Sequence, residues 1–225
     1  MRKEIGQKDL ILNRYGDRVR AAQEKNVDLF HTTGWVDETA VKKHGDAVIV
    51  RTMSIEAGPE PVPAIWALSY RNSSAHLEQR VKEKVRVEAR FAPEEDENSG
   101  TEIVTAISWE GDRALRVFFF FDRDLAPNST TRIRLTIKWP KYGADMLDGQ
   151  VEPNYWTFRR QTTGFNSLVI YESEFAPKGV RITPLDGSPR PDVDRQKASG
   201  STLVRFALAD IKVGQEYGYR SELIR

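Results

Sequence analysis

The stretch from Arg113 to Trp139, RALRVFFFFDRDLAPNSTTRIRLTIKW, constrains the fold more than any other part of the chain. Apolar residues recur at every second position in its first half, and again in its second half. These apolar residues are Leu115, Val117, Phe119 and Phe121, and then Ile133, Leu135, Ile137 and Trp139. Asp, Pro, Asn and Ser between them favour a turn. The pattern therefore predicts two long strands joined by a loop, each with one buried face.

Pairing residues across the predicted turns extends these two strands into a larger sheet. Two further alternating segments, VKEKVRVEARF and TEIVTAISW, precede it. Closing the three turns about Asp96, Gly111 and Ala126 pairs Val87 with Thr105, Ile107 with Leu115, and Phe119 with Ile133. Every closure keeps the apolar residues on one face, whereas a slip of one residue would turn a strand's apolar set to solvent. We therefore predict a four-strand antiparallel meander from Val81 to Trp139.

A sheet with one buried face needs a second layer of structure. The remaining strand candidates are DAVIVRTMSIEA, AIWALSYR, SLVIYESEF, GVRITPL, STLVRFALADI and QEYGYRSEL. We therefore predict an all-β, two-layer antiparallel β-sandwich over residues 33–225. Its strand number, spacing and turns resemble an immunoglobulin-like sandwich, although the Cys and Trp pattern of true immunoglobulin domains is missing.

The first 32 residues form a separate predicted unit, a helix with its connector. Leu12, Tyr15, Val19 and Ala22 recur at steps of three and four residues within the predicted helix 7–26. A short amphipathic helix is marginal by itself in water. We therefore expect it to dock on the sandwich, on a second copy of the chain, or on a partner protein.

The composition excludes several classes of function. The 225 residues include no cysteine, which removes disulfides, thiolate catalysis and cysteine-based zinc sites. A net charge of +1 gives no global attraction to nucleic acid or anionic lipid. No apolar run approaches the roughly 20 residues that a membrane span requires. Because the first residues carry charges on both sides of a very short apolar run, we expect no secretory signal and a cytoplasmic protein.

An aromatic strip lies on the opposite face of the predicted meander. In the predicted register Phe118 and Phe120 point to this face, with Arg132 and Arg134 beside them on the next strand. Two phenyl rings flanked by guanidinium groups are suited to stack planar ligands such as nucleic-acid bases. The strip therefore predicts a binding surface for a partner protein, a nucleotide or a nucleic acid.

Three structural explanations for the same strip remain open. The stems of Arg132 and Arg134 can cover the phenyl rings. The N-terminal helix can cover them with Leu12, Tyr15 and Val19. A β-bulge among the four phenylalanines can turn the rings inward.

A second candidate surface lies in the irregular segment 151–166. Its aromatic and basic residues are Tyr155, Trp156, Phe158, Arg159, Arg160 and Phe165. These residue types are enriched in interface hot spots, and loops at the end of a rigid sandwich often carry recognition. The alternative is that Trp156 and Phe158 alternate into the core as a short strand, which leaves the two arginines as a solvated end.

Catalytic patterns are weak. The chain has three histidines and no HExxH, GxSxG or GxxxxGKS motif. The remaining polar groupings are His76 with Ser73, Ser74 and Glu78, and the pairs Asp122 with Asp124 and Asp145 with Asp148. Neither aspartate pair follows the pattern of a calcium loop. We therefore expect no cofactor and no metal, and a protein that is not an enzyme.

Three hypotheses about function follow. The first is a non-enzymatic protein-binding, accessory or sensory module of an intracellular assembly. Its partner would contact the N-terminal helix or segment 151–166, and a homo-oligomer is also compatible with the sequence. The alternative is a nucleic-acid or nucleotide binder that uses the aromatic strip. The second alternative is a hydrolase-type enzyme whose site is assembled from distant residues, such as His76 with Asp122 or Asp145.

Overall fold

The computed structural model describes residues 2–25, 28–70, 79–93, 99–110 and 114–225. The helices are α1 (Arg2–Glu24), α2 (Gln79–Lys82) and α3 (Ala144–Leu147). The strands are β1 (Phe30–Val41), β2 (Ala47–Ala57), β3 (Val62–Tyr70), β4 (Arg86–Phe91), β5 (Glu102–Glu110), β6 (Ala114–Leu125), β7 (Thr130–Trp139), β8 (Glu152–Thr157), β9 (Phe165–Tyr171), β10 (Val180–Pro184), β11 (Asp192–Arg195), β12 (Thr202–Leu208) and β13 (Glu216–Leu223).

Most of these strands belong to one long sheet with the order β11-β12-β9-β1-β2-β7-β4-β5-β6-β3. A second sheet has the order β10-β13-β8. Neighbouring strands in the described part of the chain run antiparallel, apart from the parallel pair of β1 and β9. The prediction of an all-β sandwich-like fold with an N-terminal helix is confirmed.

The long sheet bends over itself and forms two layers. β4 and β5 share two residue pairs, Ala89 with Ile103 and Arg90 with Glu102, and the sheet turns at this short contact. Beyond the bend, β5, β6 and β3 lie over β4, β7 and β2. The first core fills the space between them; its fully buried members include Leu115, Val117, Phe119, Ile133, Leu135, Ile137 and Trp139.

The three-stranded sheet covers the other half of the long sheet. It packs over β1, β9 and β12 around a second core that includes Phe158, Phe165, Phe206 and Tyr219. Trp35 contacts both cores. Among the described strands, the lower layer, β12-β9-β1-β2-β7-β4, is therefore continuous, whereas the upper layer consists of two parts, β10-β13-β8 and β5-β6-β3.

The predicted pairing of β6 with β7 is wrong, although both of their predicted buried faces are correct. All the apolar side chains of the two faces are at most 2% exposed. β6 pairs with β3 and β5, and β7 pairs with β2 and β4. The two strands thus lie in opposite layers, and their apolar faces meet across the core. Alternation fixes which face of a strand is buried, but it does not fix which strand lies beside it.

Of the two other predicted registers, that of β4 with β5 is correct and that of β5 with β6 is shifted. In β4 and β5, Ala89 opposite Ile103 belongs to the predicted register. In β5 and β6, Ile107 lies opposite Val117 instead of Leu115, a shift of two residues. Because side chains alternate with a period of two, this shift leaves every side chain on its predicted face. The turn residues 94–98 and 111–113 lie outside the described residues.

The alternation did not predict β1. This strand begins at Phe30, within the predicted connector, so the division of the chain after residue 32 stays a prediction that no observation supports. Its inner face mixes the polar residues Thr32, Asp37 and Thr39 with Phe30, Trp35 and Val41. A shift of register between Thr32 and Gly34 also interrupts the alternation, so no apolar series marks the strand.

Helix α1 packs on the outer side of β3 and β6, as one of the three expectations for it required. Ile11 contacts Ala64 and Phe120, with Tyr15 beside them. The predicted contact residue Leu12 is instead 38% exposed. No helix among the described residues is long and apolar enough to cross a membrane.

Ion pairs fix both ends of this contact. Arg14 donates to Asp124 at the end of β6, and Lys25 donates to Glu60 before β3. The hydrogen bond from Lys25 holds the pKa of the Glu60 carboxyl below its ordinary value. The helix is therefore attached by a narrow apolar stripe and by two ion pairs in which the arginine and the lysine are exposed, and ion pairs at a surface contribute little.

Candidate functional site

A cleft opens where the upper layer is interrupted. Its floor is formed by β1 and β2 in the middle of the continuous lower layer, and its walls are β3 on one side and β8 on the other. Its volume is about 670 Å³. The lining residues are Asp28, Phe30, Thr32, Trp35, Asp37, Thr39, Ile49, Arg51, Met53, Ile55, Ile65, Ala67, Tyr142, Asn154, Tyr155, Trp156, Thr157, Phe158, Arg159, Arg160, Thr162 and Val169. A concave site of this size and aromatic content is typical of ligand pockets.

A buried ion pair lies at the floor of the cleft. Asp37 on β1 and Arg51 on β2 are directly opposite in the register and are 5% and 6% exposed. Arg51 donates to Asp37 twice, from Nε to Oδ1 at 2.7 Å and from Nη2 to Oδ2 at 3.0 Å. This bidentate geometry offsets part of the large cost of removing both charges from water.

Two tryptophans complete the carboxylate's hydrogen bonds. Trp35 Nε1 donates to Asp37 Oδ1 at 2.8 Å, and Trp156 Nε1 donates to Asp37 Oδ2 at 3.3 Å. The guanidinium carbon of Arg51 also lies 4.7 Å from the ring centre of Trp35. Because Trp156 belongs to β8, its bond ties the three-stranded sheet to the floor of the long sheet. The network therefore determines where one wall of the cleft stands.

The mouth of the cleft is basic and aromatic. The guanidinium carbon of Arg160 lies 4.4 Å from the ring centre of Phe30, a cation–π contact. Arg159 is exposed beside it, and Asp28 supplies one negative charge on the same rim. Two positive charges against one negative charge favour an anionic group at the mouth.

Three tyrosines lie around the inner end of the cleft and beneath β8. Burial raises the pKa of Tyr142, which lines the cleft, and the nearby carboxylate of Glu152 raises it further. Burial also raises the pKa of Tyr171, whose hydroxyl group forms a hydrogen bond of 3.0 Å with Ser221 Oγ. Burial raises that of Tyr219. These phenols therefore stay protonated and neutral near pH 7, and of the three Tyr142 lines the cleft.

Strand β8 presents its backbone edge to the cleft. Four consecutive residues of this strand, Asn154 to Thr157, line the cavity. Successive side chains of a strand point to opposite faces, so a run of four neighbours contacts one space only where the strand's edge faces that space. β8 pairs with β13 on its other side and stands at the end of its sheet. In the described part of the chain, no strand pairs with the edge of β8 that faces the cleft.

The structure brings together four of the predicted site residues. Tyr155, Trp156, Arg159 and Arg160 all line the cleft, although no observation tests whether they bind a ligand. The alternative for this segment is also partly correct, because β8 is a short strand and Phe158 is buried in the second core. Residues of this segment can pack in the second core and also line the cleft, because one wall of the cleft is the edge of a packed sheet.

The predicted aromatic strip does not form as a surface shared with Arg132 and Arg134. Phe120 is 4% exposed and lies under α1, and Phe118 is partly buried beside it. The guanidinium near Phe118 belongs to Arg116, at 6.0 Å from the ring centre. Of the three explanations left open for the strip, cover by the N-terminal helix is the correct one, with Ile11 in place of Leu12.

Arg132 and Arg134 lie elsewhere because β7 is not the neighbour of β6. They point to the outer face of the lower layer, opposite Ser54 and Thr52 of β2, and Arg134 also faces Arg90 of β4. Phe118 and Phe120 are on the outer face of the upper layer. The two pairs of residues are thus separated by the whole thickness of the sandwich, and a role in binding stays a prediction for each pair alone.

The candidate catalytic groups are dispersed. His76, Ser73, Ser74 and Glu78 lie outside the described residues. Asp124 is paired with Arg14 of α1 at the surface. Asp145 is buried in α3. Within the described ranges, no three His, Cys, Asp or Glu side chains converge to form a metal-binding group.

Several lining residues escaped the sequence analysis, among them Asp37, Arg51, Phe30 and Trp35. A signal for Arg51 was present, since it lies at the same parity as Ile49, Met53 and Ile55 in an apolar strand. A charged residue on the buried face of a strand demands a buried partner. Asp37 carried no such signal, because β1 shows no apolar alternation.

Comparisons with known proteins give a fold and no family. No protein-family model matches the sequence, and no curated protein gives a significant match. A putative protease from Parabacteroides distasonis matches the structure with a TM-score of 0.53 at 8% identity, over 86% of this chain and 40% of that chain. An M1 zinc metallopeptidase from Deinococcus radiodurans matches with a TM-score of 0.49 at 11% identity, over 86% of this chain and 42% of that chain. The chain thus spans about two fifths of the length of these solved proteins, and at such identities the likeness shows the fold alone.

Proposed function

We propose that this chain is a non-enzymatic protein-binding module and that the cleft between β3 and β8 is its binding site. The observation that carries the proposal is the cleft itself: a cavity of about 670 Å³ with an aromatic lining, at a gap in an otherwise continuous upper layer. Tyr, Trp and Arg, the residue types that dominate binding hot spots, are concentrated on one wall.

The chemistry of the floor supports binding in preference to reaction. The carboxylate of Asp37 accepts four hydrogen bonds, two of them from Arg51. Such a carboxylate is held in one orientation with donors on both of its oxygens, so it is poorly placed to act on a substrate. In the proposal it preorganises the cleft by fixing the indoles of Trp35 and Trp156.

The hydrolase alternative has one observation in its favour, the fold shared with a putative protease. It predicts that the purified chain cleaves a mixed peptide substrate, and that cleavage is lost when the cleft is filled. The nucleic-acid alternative predicts binding of single-stranded oligonucleotides that weakens as salt rises and is reduced in Arg132→Ala/Arg134→Ala. Both predictions are checked with the same protein preparations.

A comparison of matched variants tests the proposal. Thr157→Trp places a large side chain at an exposed position of the cleft wall, and Arg159→Glu/Arg160→Glu reverses the charge of the mouth. Arg220→Glu is the matched control, since Arg220 is exposed on β13 and does not line the cleft. Partner proteins captured from cell extract by each form are quantified by mass spectrometry.

We expect capture by the two cleft variants to fall about tenfold, equivalent to about 1.4 kcal/mol, while the control retains wild-type capture. Each recovered partner is then purified and its affinity measured for all four forms. Thermal unfolding of each form excludes loss of folding as the cause. Equal retention of every partner by the folded cleft variants and the control would refute the cleft as the binding site.

A further inference from the structure

The cleft is long and narrow. It follows β1 from Phe30 at the mouth to Thr39 at the inner end, and these two residues lie opposite Ala57 and Ile49 of β2. Eight residue steps of about 3.3 Å make this length about 26 Å. A volume of about 670 Å³ over that length leaves a mean cross-section of about 26 Å². A helix, about 10 Å across, needs roughly three times as much, so the shape of the cleft suits a ligand in an extended conformation.

The mouth of the cleft attracts negative charge. Among the described residues, the guanidinium of Arg160 packs on the ring of Phe30, and neither it nor the exposed Arg159 forms an ion pair with a carboxylate. An acidic side chain of a ligand would therefore add an ion pair here without displacing an existing one.

The inner end of the cleft offers a hydrogen-bond donor and disfavours an acid. Tyr142 lines this end, and Gly143 after it packs against Val41 at the end of β1. Within the described ranges, no residue forms a hydrogen bond with the Tyr142 hydroxyl group. Burial raises the pKa of this phenol and the carboxylate of Glu152 raises it further, so the hydroxyl group keeps its proton. A second negative charge beside Glu152 is unfavourable, and an uncharged oxygen acceptor fits this end best.

The floor between the two ends is apolar apart from one neutralised pair. Trp35, Met53 and Ile55 line it, and the charges of Asp37 and Arg51 are paired with each other. Apolar side chains of a ligand can therefore be buried along this middle part.

We propose that the cleft binds an extended segment of a partner protein that places an acidic residue at the mouth, apolar residues along the floor and an uncharged acceptor at Tyr142. The proposal rests on the proposed function and specifies its ligand. An extended chain advances about 3.3 Å per residue, and the arginine and tyrosine side chains line the cleft at its two ends. The acidic and the accepting residue are therefore about five to seven positions apart.

Selection from a phage-displayed library of random linear peptides, long enough to span the cleft, provides the probe. We expect wild-type protein and Arg220→Glu to enrich peptides with an acidic residue and, about five to seven positions away, Asn, Gln, Ser or Thr. Arg159→Glu/Arg160→Glu should lose the preference for the acid, and Tyr142→Phe the preference for the acceptor. Tyr142→Phe keeps the ring that packs on Trp139, and thermal unfolding checks that each variant is folded.

Double-mutant cycles with the most enriched peptide then locate its two ends. The peptide is synthesised with a fluorescent label, and affinities are measured by anisotropy. Replacing its acidic residue by Ala should weaken binding to wild type about tenfold, but should not weaken binding to Arg159→Glu/Arg160→Glu. Replacing its accepting residue by Ala should weaken binding to wild type about fivefold, and change it little for Tyr142→Phe. Each replacement should act in full on the variant at the opposite end.

Three outcomes would contradict the proposal. If either replacement acts in full on the variant at its own end, the proposed placement of the segment is overturned while the cleft remains the binding site. A selection that yields no peptide dependent on the cleft overturns the proposed ligand, and the comparison of captured partners then tests the proposed function separately. Selected peptides that bind Thr157→Trp and the charge-reversed variant as tightly as wild type place the ligand elsewhere on the molecule, and they overturn both proposals.

Discussion

The buried pair of Asp37 and Arg51 makes the sharpest prediction about stability. In Asp37→Leu, the guanidinium of Arg51, 6% exposed, loses the carboxylate that accepts two of its hydrogen bonds. Removing one member of a buried ion pair costs about 3–5 kcal/mol. Because the adjoining cleft admits water to this guanidinium, we expect the lower end of that range, about 3 kcal/mol. For a chain of this size the melting temperature should fall by about 6–12 °C.

A double-mutant cycle separates the pair from the packing around it. Arg51→Met alone leaves Asp37 with the indole donors of Trp35 and Trp156, and we expect a comparable loss. Asp37→Leu/Arg51→Met removes both charges together, and exchange of a buried ion pair for apolar residues is often nearly neutral. The double variant should therefore be no less stable than either single variant, which corresponds to a coupling energy of at least about 3 kcal/mol.

Urea unfolding, followed by tryptophan fluorescence, measures the three free energies of unfolding. The same scans report on the wall of the cleft, because loss of the carboxylate frees the indole of Trp156 and should shift its emission. If the two single losses add within about 0.5 kcal/mol in the double variant, the two residues act independently. The assignment of Asp37 and Arg51 as an energetically coupled buried pair would then be incorrect.

Three further predictions concern the strands around the cleft, the helix and the buried phenols. Gly218→Ala should destabilise the contact of β13 with β8, since an added Cβ would lie 2.0 Å from a backbone oxygen of β8; urea unfolding measures the effect. Ile11→Asp should release α1 and accelerate proteolysis within it, whereas Leu10→Asp, at a position 59% exposed, should not. The raised pKa values of Tyr171 and Tyr219 predict stability that is complete below about pH 10 and falls as pH rises further, because the unfolded chain ionises first, by up to about 1.4 kcal/mol per pH unit and group; urea unfolding across this range checks it.

Much of the fold could be predicted from the alternation of apolar and polar residues alone. The apolar faces of β6 and β7 are buried as predicted, and strands occupy all six of the further segments predicted for the second layer. Helix α1 occupies the predicted segment and packs through Tyr15, Val19 and Ala22. These features depend on local periodicity, which the sequence contains in full.

The sequence allowed one wall of the candidate site to be predicted, but not its floor. Segment 151–166 was predicted as a binding surface because aromatic and basic residues are concentrated in it. Four of these residues line the cleft. The floor was hidden because Asp37 and Arg51 lie on separate strands, and their relation depends on the pairing of β1 with β2. A polar residue on a strand's inner face is ambiguous until its neighbour across the sheet is known.

The sequence by itself determined which residues of each strand turn inward, because the backbone geometry of a strand imposes a period of two on its side chains. Only the tertiary structure decided which strands are neighbours, since strands in the same layer and strands in opposite layers show the same pattern. That decision places β6 and β7 across the core from one another and separates Phe118 and Phe120 from Arg132 and Arg134. It also leaves the cleft between β3 and β8, because among the described strands each of these two is the last of its sheet. The candidate binding site is thus a property of strand order, which local periodicity does not encode.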